Sequence, residues 1–336
     1  MLVKNGEIMA STKKIGIHAF LSIILTLIVF TSFINGAQAQ FLIITLYSEK
    51  QEYFLNEQIK LFGNLTHMGE KVYDGIVAIE VLNPQNKTLT IRVVSTGPVS
   101  QDNYVVKITQ FYPSDSEGNP RTTPYQTGTF AYFTAYIQNL DLIEHNLYFA
   151  VNIYDKNGKP WAVSSSVGII HPSQTMLVIL GYPIPYGFPS GTAVAYAVAL
   201  TDKPQNNGVP HCPEAAATFQ VATSTVTQVI TSSYQNGEYY LNFSMPTDSK
   251  PGNYTVYATS IYQYSTAPTK NITFTIKVPD INNDGFVDVY DLIIVSSAFG
   301  STPGEPNWNP IADINGDNAV DIYDVIIIAS NFGWEA

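Results

Sequence analysis

The sequence predicts a mainly β protein: two β-sandwiches followed by a small α-helical unit at the C-terminus. Tyr, Val, Ile and Thr dominate the middle of the chain, which is the composition of β-strands. From Phe41 to Ile276, short apolar runs alternate with turns rich in Gly, Pro, Asn and Asp. No helical period of 3.6 residues stands out before residue 290. A chain of 336 residues has room for two or three domains.

Short runs along the first 277 residues have the length and pattern of strands. They cover 41–48, 57–65, 75–82, 88–95, 104–111, 129–138, 146–154, 162–170, 174–180, 192–200, 216–221, 238–244, 253–263 and 271–277. Turn signals separate them at the spacing that is typical of β-sandwiches.

Two segments, 191–221 and 252–276, resemble each other, and each has the pattern of a closing hairpin of a sandwich. The second hairpin is preceded by too few strands to bury a core. Residues 41–100 have the opposite problem, with four strands and no closing hairpin. We therefore predict that 41–100 and 224–278 form one discontinuous sandwich, into which a second sandwich, 104–222, is inserted. The alternative is three sequential units, of which the third is small.

Sequence motifs in both predicted sandwiches resemble known surface modules. Tyr53-Phe-Leu-Asn-Glu-Gln-Ile59 and Val77-Ala-Ile-Glu-Val81 lie in the outer sandwich, and Thr134-Ala-Tyr-Ile-Gln-Asn139 lies in the insert. The outer unit resembles macroglobulin-like or invasin-like immunoglobulin modules, and the insert resembles immunoglobulin-like adhesion modules of surface proteins. The resemblance implies two immunoglobulin-like β-sandwiches in a cell-surface protein.

The negative charge of the chain is concentrated at its C-terminus. Residues 280–336 contain eight Asp and two Glu without any Lys or Arg, a charge of −10, while the whole chain carries −11. Like charges at this density repel each other, and a bound cation is the simplest relief. The chain has no basic patch that could neutralise phosphates, so the composition argues against a nucleic-acid partner.

A twelve-residue pattern of oxygen-bearing side chains occurs twice in this acidic segment. Asp280-Ile-Asn-Asn-Asp-Gly-Phe-Val-Asp-Val-Tyr-Asp291 returns as Asp313-Ile-Asn-Gly-Asp-Asn-Ala-Val-Asp-Ile-Tyr-Asp324. Oxygen side chains stand at positions 1, 3, 5, 9 and 12 of both, and position 7 offers its backbone carbonyl; this is the ligand spacing of a calcium loop. The predicted ligands of two calcium ions are Asp280, Asn282, Asp284, Phe286, Asp288, Asp291, Asp313, Asn315, Asp317, Ala319, Asp321 and Asp324.

Each loop leads into an apolar helix that ends at Gly, and we expect position 12 to open that helix. Position 6 needs a sharp turn with positive φ, which suits Gly285 in the first loop. Asn318 replaces Gly in the second loop, because Asn tolerates the left-handed conformation better than most residues. We therefore expect both loops to bind calcium, the second slightly less well.

The tandem of loop and helix resembles a dockerin, a calcium-binding module that docks onto a cohesin module of a partner protein. As in dockerins, no helix enters the loop, since Pro279 blocks one before Asp280. The resemblance implies partner contacts at Val289, Tyr290, Ser296, Ser297, Ile322, Tyr323, Ala329 and Ser330. Positions 10 and 11 depart from the pattern, because they are apolar and Tyr where many dockerins have small polar pairs. The alternative is that calcium only folds the unit, without a partner.

The N-terminus predicts export. Lys13 and Lys14 precede an apolar run, and Ala37-Gln38-Ala39 supplies a small-x-small cleavage site, so residues 1–39 are predicted to be a signal peptide. The apolar run could instead remain as an uncleaved membrane anchor. The protein is then secreted or on the cell surface, where its Asn-x-Ser/Thr sequons could carry glycans. These sequons are at Asn64, Asn86, Asn242, Asn253 and Asn271.

The sequence contains no convincing catalytic set. It has no HExxH, GxSxG, P-loop or GxGxxG motif, its histidines are scattered, and its single cysteine, Cys212, suggests a loop or core thiol. We therefore predict a non-catalytic surface, adhesion or scaffold protein that docks to a cohesin-like partner. The alternative is an extracellular carbohydrate-binding or polysaccharide-degrading component of a complex, which a row of exposed Tyr or Trp on one sheet face would support.

Overall fold

The computed structural model describes residues 42–55, 57–222, 234–235, 237–246 and 249–336. Over these residues the chain forms strands up to Lys277 and two α-helices after it, α1 at Val289–Ala298 and α2 at Ile322–Asn331. The predicted mainly β fold with a small helical unit is therefore confirmed. The predicted signal peptide, 1–39, lies outside the described residues.

The strands include all the runs expected from the sequence, and four short ones, β3, β5, β15 and β18, that it did not indicate. In chain order they are β1 Leu42–Ile44, β2 Tyr47–Ser48, β3 Glu52–Phe54, β4 Gln58–His67, β5 Glu70–Lys71, β6 Ile76–Leu82, β7 Thr88–Ser95, β8 Val106–Ser114, β9 Phe130–Asn139, β10 His145–Tyr154, β11 Pro160–Ile170, β12 Thr175–Pro183, β13 Gly191–Leu200, β14 Ala215–Val221, β15 Tyr234–Gln235, β16 Glu238–Ser244, β17 Gly252–Tyr262, β18 Ser265–Thr266 and β19 Lys270–Lys277.

Four sheets arise from these strands. Two of them combine strands from both ends of the β region, in the orders β1-β4-β16-β15 and β3-β19-β17-β6-β7, with β2 and β5 beside β4 and β18 beside β17. The other two, β12-β9-β8 and β11-β10-β13-β14, use only strands between residues 106 and 221. In particular, β16 pairs with β4 and β17 pairs with β6, both antiparallel. The immunoglobulin-like assignment and the predicted domain boundaries stay predictions, and residues 224–233 lie outside the described residues.

The sheets β1-β4-β16-β15 and β3-β19-β17-β6-β7 enclose one apolar core, and the sheets β12-β9-β8 and β11-β10-β13-β14 enclose a second. We call each pair of sheets a β unit. In the first core Tyr53 meets Phe274 edge-on at 5.6 Å between ring centroids, and Tyr254 stacks on Phe274 at 5.5 Å. In the second, Phe133 meets Phe219 at 5.1 Å. Burying a large apolar side chain contributes about 1.5–3 kcal/mol, so these rings are main contributors to each core.

A third cluster lies where the two β units pack against each other. Strands β6 and β13 are buried on both faces, because one face covers the strand's own core and the other covers the neighbouring unit. This explains why Ile76-Val-Ala-Ile-Glu-Val-Leu82 is apolar at every position except Glu80 instead of alternating. The cluster consists of Ile76, Ala78, Ile91, Val93, Tyr148, Ala150, Val198 and Leu200.

The helical unit has a small core of its own. Val287, Val295, Ala312, Val320 and Ile328 are fully buried within it. Val278 and Trp334 pack against this core and also against the core that contains Tyr53. The unit is therefore joined to the neighbouring sandwich by side-chain packing as well as by the chain.

Candidate metal centre and docking face

The first loop, residues 280–291, winds around the carboxylate of its first residue. Asp280 Oδ1 accepts the N–H of Asp284 at 3.1 Å, and its Oδ2 accepts the N–H of Gly285 at 2.9 Å. Asn282 Oδ1 accepts the N–H of Asp284 at 2.9 Å, and Asp284 Oδ1 accepts the N–H of Phe286 at 3.0 Å. Such turns arise because short Asp and Asn side chains reach backbone N–H groups a few residues on. They place the oxygens of positions 1, 3 and 5 along one side of the loop.

The second loop, residues 313–324, has the same geometry. Asp313 accepts the N–H groups of Asp317 at 3.1 Å and Asn318 at 3.0 Å. Asn315 Oδ1 accepts the N–H of Asp317 at 2.9 Å, and Asp317 Oδ1 accepts that of Ala319 at 2.9 Å. Two loops with different residues at positions 4, 6, 7 and 10 thus reach one conformation, since their shared Asp and Asn residues set the turns.

The buried Asp at position 12 joins the start of each loop to its end. Asp291 is fully buried; its Oδ1 accepts the N–H groups of Ile281 at 2.9 Å and Asn282 at 3.2 Å, and its Oδ2 accepts that of Asp288 at 2.9 Å. Asp324 makes the equivalent three bonds. These carboxylates therefore hold the start of the loop against the first turn of the helix.

The expectation that each helix begins at position 12 is wrong, because each helix begins at position 10, two residues earlier. Asp288 and Asp321, at position 9, are the N-caps, and each forms a reciprocal capping box with the position-12 Asp. Asp288 Oδ1 accepts the N–H of Tyr290 at 2.7 Å, which lets α1 begin at Val289. The spacing Asp-x-x-Asp marks both members of this box in the sequence, but it does not show which of the two caps the helix.

Positive φ occurs at two positions in each loop. Gly285 at φ 90° and Asn318 at φ 67° occupy position 6, as expected. Position 4 is also left-handed, with Asn283 at φ 59° and Gly316 at φ 74°. Each loop thus carries one Gly and one Asn at its two left-handed positions, in swapped order. The backbone gives no reason for a weaker second loop, and the expected difference in calcium affinity between the two loops stays a prediction.

The donor set of both loops suits calcium. It contains carboxylate, amide and backbone carbonyl oxygens, which a hard cation prefers, and no soft ligand. Among the described residues, no three Asp, Glu, His or Cys side chains form a preformed metal cluster, because the loop carboxylates turn to N–H groups of their own loop. A carboxylate has about four lone-pair sites, so Asp280 and Asp313 can keep these bonds and also ligate. The twelve predicted ligands stay predictions.

Backbone hydrogen bonds at position 8 of each loop, Val287 and Val320, join the two halves of the helical unit. Val287 N–H donates to Trp334 O at 2.9 Å, and Gly333 N–H donates to Val287 O at 2.8 Å. Val320 N–H donates to Ser301 O at 3.0 Å, and Gly300 N–H donates to Val320 O at 2.7 Å. Each loop is thus tied to the residues that follow the other helix.

All eight residues predicted to contact a partner are exposed. The structure adds four apolar side chains that the sequence analysis missed, Ile293, Phe299, Ile326 and Phe332, each about half exposed. Their recurrence at equivalent positions of the two repeats was the available signal. We call the exposed residues of α1 and its end face 1, and the equivalent residues of α2 face 2. Face 1 comprises Val289, Tyr290, Ile293, Ser296, Ser297 and Phe299; face 2 comprises Ile322, Tyr323, Ile326, Ala329, Ser330 and Phe332.

The remaining predicted sites lie on the β units. The sequons Asn86, Asn253 and Asn271 are exposed, whereas Asn64 and Asn242 are half-buried in their strands. Whether they carry glycans stays a prediction.

Two of the scattered histidines come together in the structure. The rings of His145 and His211 are 5.4 Å apart, and His145 Nε2 lies 2.9 Å from Asp141 Oδ2. Burial lowers the pKa of His211 to about 4, and its Nε2 donates to Asn146 O at 2.8 Å.

The single cysteine, Cys212, follows His211 in the chain and is fully buried. Burial raises the pKa of its thiol to about 12. A thiol with this pKa is protonated at neutral pH and unreactive.

Comparison with known proteins assigns the C-terminal unit. Residues 278–332 match the model of the dockerin type I domain. Domains of this family bind calcium, and the presence of one implies a cohesin partner in an extracellular complex. No protein of curated function matches the chain. No helix among the described residues is both long and apolar enough to cross a membrane.

Similarities to solved structures are distant. The C-terminal domain of wzt has a TM-score of 0.30 and 11% identity over 40% of this chain and 84% of its own. A CARDB domain from Pyrococcus furiosus has a TM-score of 0.23 and 15% identity over 34% and 91%. A cycloisomaltooligosaccharide glucanotransferase from Paenibacillus sp. has a TM-score of 0.27 and 15% identity over 35% of this chain. This chain spans only 14% of the length of that enzyme.

Proposed function

We propose that this chain, which ends in a dockerin type I domain, is an exported, non-catalytic surface or scaffold protein. In this proposal its dockerin binds two calcium ions and docks onto a cohesin-like module of a partner. The two packed β units then serve as the rigid body that is displayed or that binds a further ligand.

The observation that carries the proposal is the equivalence of the two halves of the dockerin. In both loops the first Asp accepts the N–H groups of positions 5 and 6. Val289 and Ile322 are 50% and 52% exposed, and Tyr290 and Tyr323 are both 62% exposed. A chain that used calcium only to fold would have no need to expose the same apolar and aromatic side chains twice.

Two calcium ions also relieve the local charge. They would bring four positive charges to a segment of −10 and leave it at −6. The fully buried Asp291 and Asp324 lie at the helix N-termini, where N–H groups and the helix dipole already favour a carboxylate. The proposed role of calcium is therefore to set the loops and thereby the faces next to them.

Calorimetric titration of the full chain with calcium tests the metal stoichiometry. We expect two ions per chain, one when Asp280→Ala removes position 1 of the first loop, and none in the double variant with Asp313→Ala. Asp115→Ala is the matched control, because Asp115 accepts the N–H of Asn119 at 2.8 Å in a similar turn far from the dockerin. Two ions bound by the double variant would refute the ligand assignment.

A cohesin panel tests the docking function. Immobilised cohesin modules are probed with the full chain in calcium and again in excess chelator. We expect binding in calcium, loss in chelator, and loss for the double variant Asp280→Ala, Asp313→Ala but not for Asp115→Ala. Absence of binding to every cohesin in calcium would leave a purely structural role for the metal and refute the docking function.

The non-catalytic role is supported by the burial of Cys212, which follows His211 in the chain. His145 and His211 pair with a carboxylate and a carbonyl, and the neighbouring Cys212 is a buried, protonated thiol. Hydrolysis of a chromogenic glycoside or peptide panel above the buffer rate, lost on His145→Ala, would overturn it. Export is tested by sequencing the N-terminus of the secreted protein, which we expect to begin at Gln40.

A carbohydrate-binding role is a second candidate, and one sheet face favours it. On the outer face of β12-β9-β8, Phe130 and Tyr132 stack at 5.9 Å between ring centroids. The Tyr132 ring lies over Gly181, where an added Cβ would come within 2.7 Å of it. A ring that lies flat on the sheet presents a face on which a sugar could stack.

A glycan array with the full chain tests this second candidate. We expect Tyr132→Ala to abolish any signal and Tyr264→Ala to leave it unchanged, because Tyr264 is almost fully exposed on another unit. An array without hits, or hits that Tyr132→Ala does not affect, would exclude this face as a glycan site.

A further inference from the structure

We propose that the partner surface that meets face 1 or face 2 is apolar at its centre and carries Arg or Lys residues at its rim. This inference rests on the proposed docking function and adds the chemistry of the partner. It also implies that attraction between opposite charges accelerates the encounter.

The apolar centre of the partner follows from the side chains that each face exposes. Ile293 and Ile326 are 53% and 50% exposed, one helical turn after Tyr290 and Tyr323. Together with Val289 or Ile322, each face therefore exposes an aromatic and two β-branched side chains side by side. Exposed apolar groups of this kind are stabilised by burial against another apolar surface, which must be on the partner.

The rim of the partner is inferred from charge. Residues 280–336 contain ten side-chain carboxylates and no Lys, Arg or His, so no side chain of the dockerin can form an ion pair with an acidic partner. Even with two calcium ions the segment keeps a charge of −6. An acidic partner surface would be repelled, and juxtaposed like charges disfavour a complex strongly. A basic rim is attracted over about one Debye length, about 8 Å at physiological salt.

The two tyrosines favour Arg within that rim. Tyr290 and Tyr323 each stand two positions after an N-capping carboxylate, that of Asp288 or Asp321. Both rings are largely free of other side chains, with 62% exposure. A guanidinium over such a ring gains a cation–π contact and lies close to a negative loop. The tyrosine thus serves as both an apolar contact and a site for the cation.

The test compares one cohesin in two charge states. The probe is a cohesin module with Lys and Arg around an apolar dockerin-facing surface, and its control is the same module with those residues changed to Glu. Binding of the calcium-loaded full chain is followed by surface plasmon resonance. We expect at least tenfold weaker binding to the Glu version. Raising salt from about 50 to about 500 mM should slow association to the basic version about tenfold and change dissociation little.

Variants of the chain test the role of the rings. Both repeats must be changed together, because an intact face could replace an altered one. Tyr290→Leu with Tyr323→Leu keeps apolar area but removes the rings, and we expect about three- to tenfold weaker binding to the basic cohesin. Tyr290→Phe with Tyr323→Phe keeps the rings and should change the affinity less than about twofold. Calcium titration of each variant confirms that the loops are intact.

The outcomes separate the inference from the function on which it rests. If no cohesin of the panel binds in calcium, the docking function fails. If other cohesins bind but neither charge state of this module does, docking stands and the basic rim is wrong. If both bind equally well, or the Glu version binds better, docking stands and the basic rim is wrong. If the Leu pair binds as well as the Phe pair, the rim can be basic, but the tyrosines do not receive a cation, and that part of the inference is overturned.

Discussion

Arg92 on β7 and Glu214 before β14 form a buried, bidentate ion pair that joins the two β units. Arg92 Nε lies 2.9 Å from Glu214 Oε2, and Nη2 lies 2.5 Å from Oε1. The guanidinium also lies over the rings of Tyr196 and Tyr154, at 3.3 and 5.2 Å from their centroids. Burial by itself would lower the pKa of Arg92, but the Glu214 carboxylate outweighs burial and raises it. The pair therefore stays charged in the interface.

Removing one member of this pair should destabilise the protein strongly. Glu214→Ala leaves the Arg92 charge buried and the N–H of Val93, which Glu214 Oε2 accepts at 2.9 Å, without its acceptor. We expect the free energy of unfolding in guanidinium to fall by about 3–5 kcal/mol. Glu52→Ala is the matched control, since the Glu52–Lys277 pair is about half exposed and contributes at most about 1 kcal/mol. Equal losses in the two variants would contradict the structural role of Arg92.

Stability should depend on His211 on the acid side of neutrality. Burial lowers its pKa from the ordinary value of 6.5 to about 4 in the folded chain, so between these values the unfolded chain binds more protons. Stability therefore falls as pH is lowered through this window, by on the order of 2 kcal/mol from this group. We expect His211→Gln to have a smaller loss between pH 6.5 and 4 than the wild type. Its lost bond to Asn146 lowers stability equally at every pH.

The control for the acid effect is His171→Gln. The His171 side chain is 64% exposed, and this change should leave the pH dependence of unfolding as it is in the wild type. If His211→Gln and the wild type lose the same stability between pH 6.5 and 4, protonation of His211 does not oppose folding.

The two left-handed asparagines should weaken calcium binding to a similar extent. Asn283→Gly and Asn318→Gly each remove the cost of positive φ from a side chain, and we expect a two- to fivefold gain in calcium affinity for the loop concerned. Gly285→Ala and Gly316→Ala should lower it by at least as much, in calorimetric titrations. Gly168→Ala is the control, because an added Cβ there meets no atom within 4 Å. A gain confined to Asn318→Gly would restore the view that only the second loop is strained.

Asn331 should be a weak point in the dockerin core. It is 4% exposed, its Nδ2 donates to Ile327 O at 2.8 Å, and its Oδ1 is buried without a partner. The equivalent residue of α1 is Ala298. We expect Asn331→Ala to stabilise the calcium-loaded chain by about 1 kcal/mol in thermal unfolding. The reciprocal change, Ala298→Asn, should destabilise it. A loss on Asn331→Ala would show that its side chain supports the helix end.

Local patterns in the sequence predicted the strands and the loops well. The alternation of apolar and polar residues indicates which side chains face a core, so most strands were predicted to within a few residues of their observed bounds. The recurrence of Asp and Asn at alternate loop positions predicts turns whose hydrogen bonds close within five residues. Gly at position 285 correctly predicted a positive φ. The start of α1 was missed because Asp288 and Asp291 both have oxygens that can cap a helix. Spacing by itself does not decide which one does.

By itself, the sequence determined the secondary structure, the repeated loops and the local charge, since these depend on residues close together in the chain. Only the tertiary structure decided which strands share a sheet, how β6 and β13 are buried on both faces, and that Arg92 meets Glu214. It also decided that His145 lies beside His211. These relationships join residues that are 50 to more than 100 positions apart. Their free energy depends on how whole sheets pack, and no short pattern of residues contains that information.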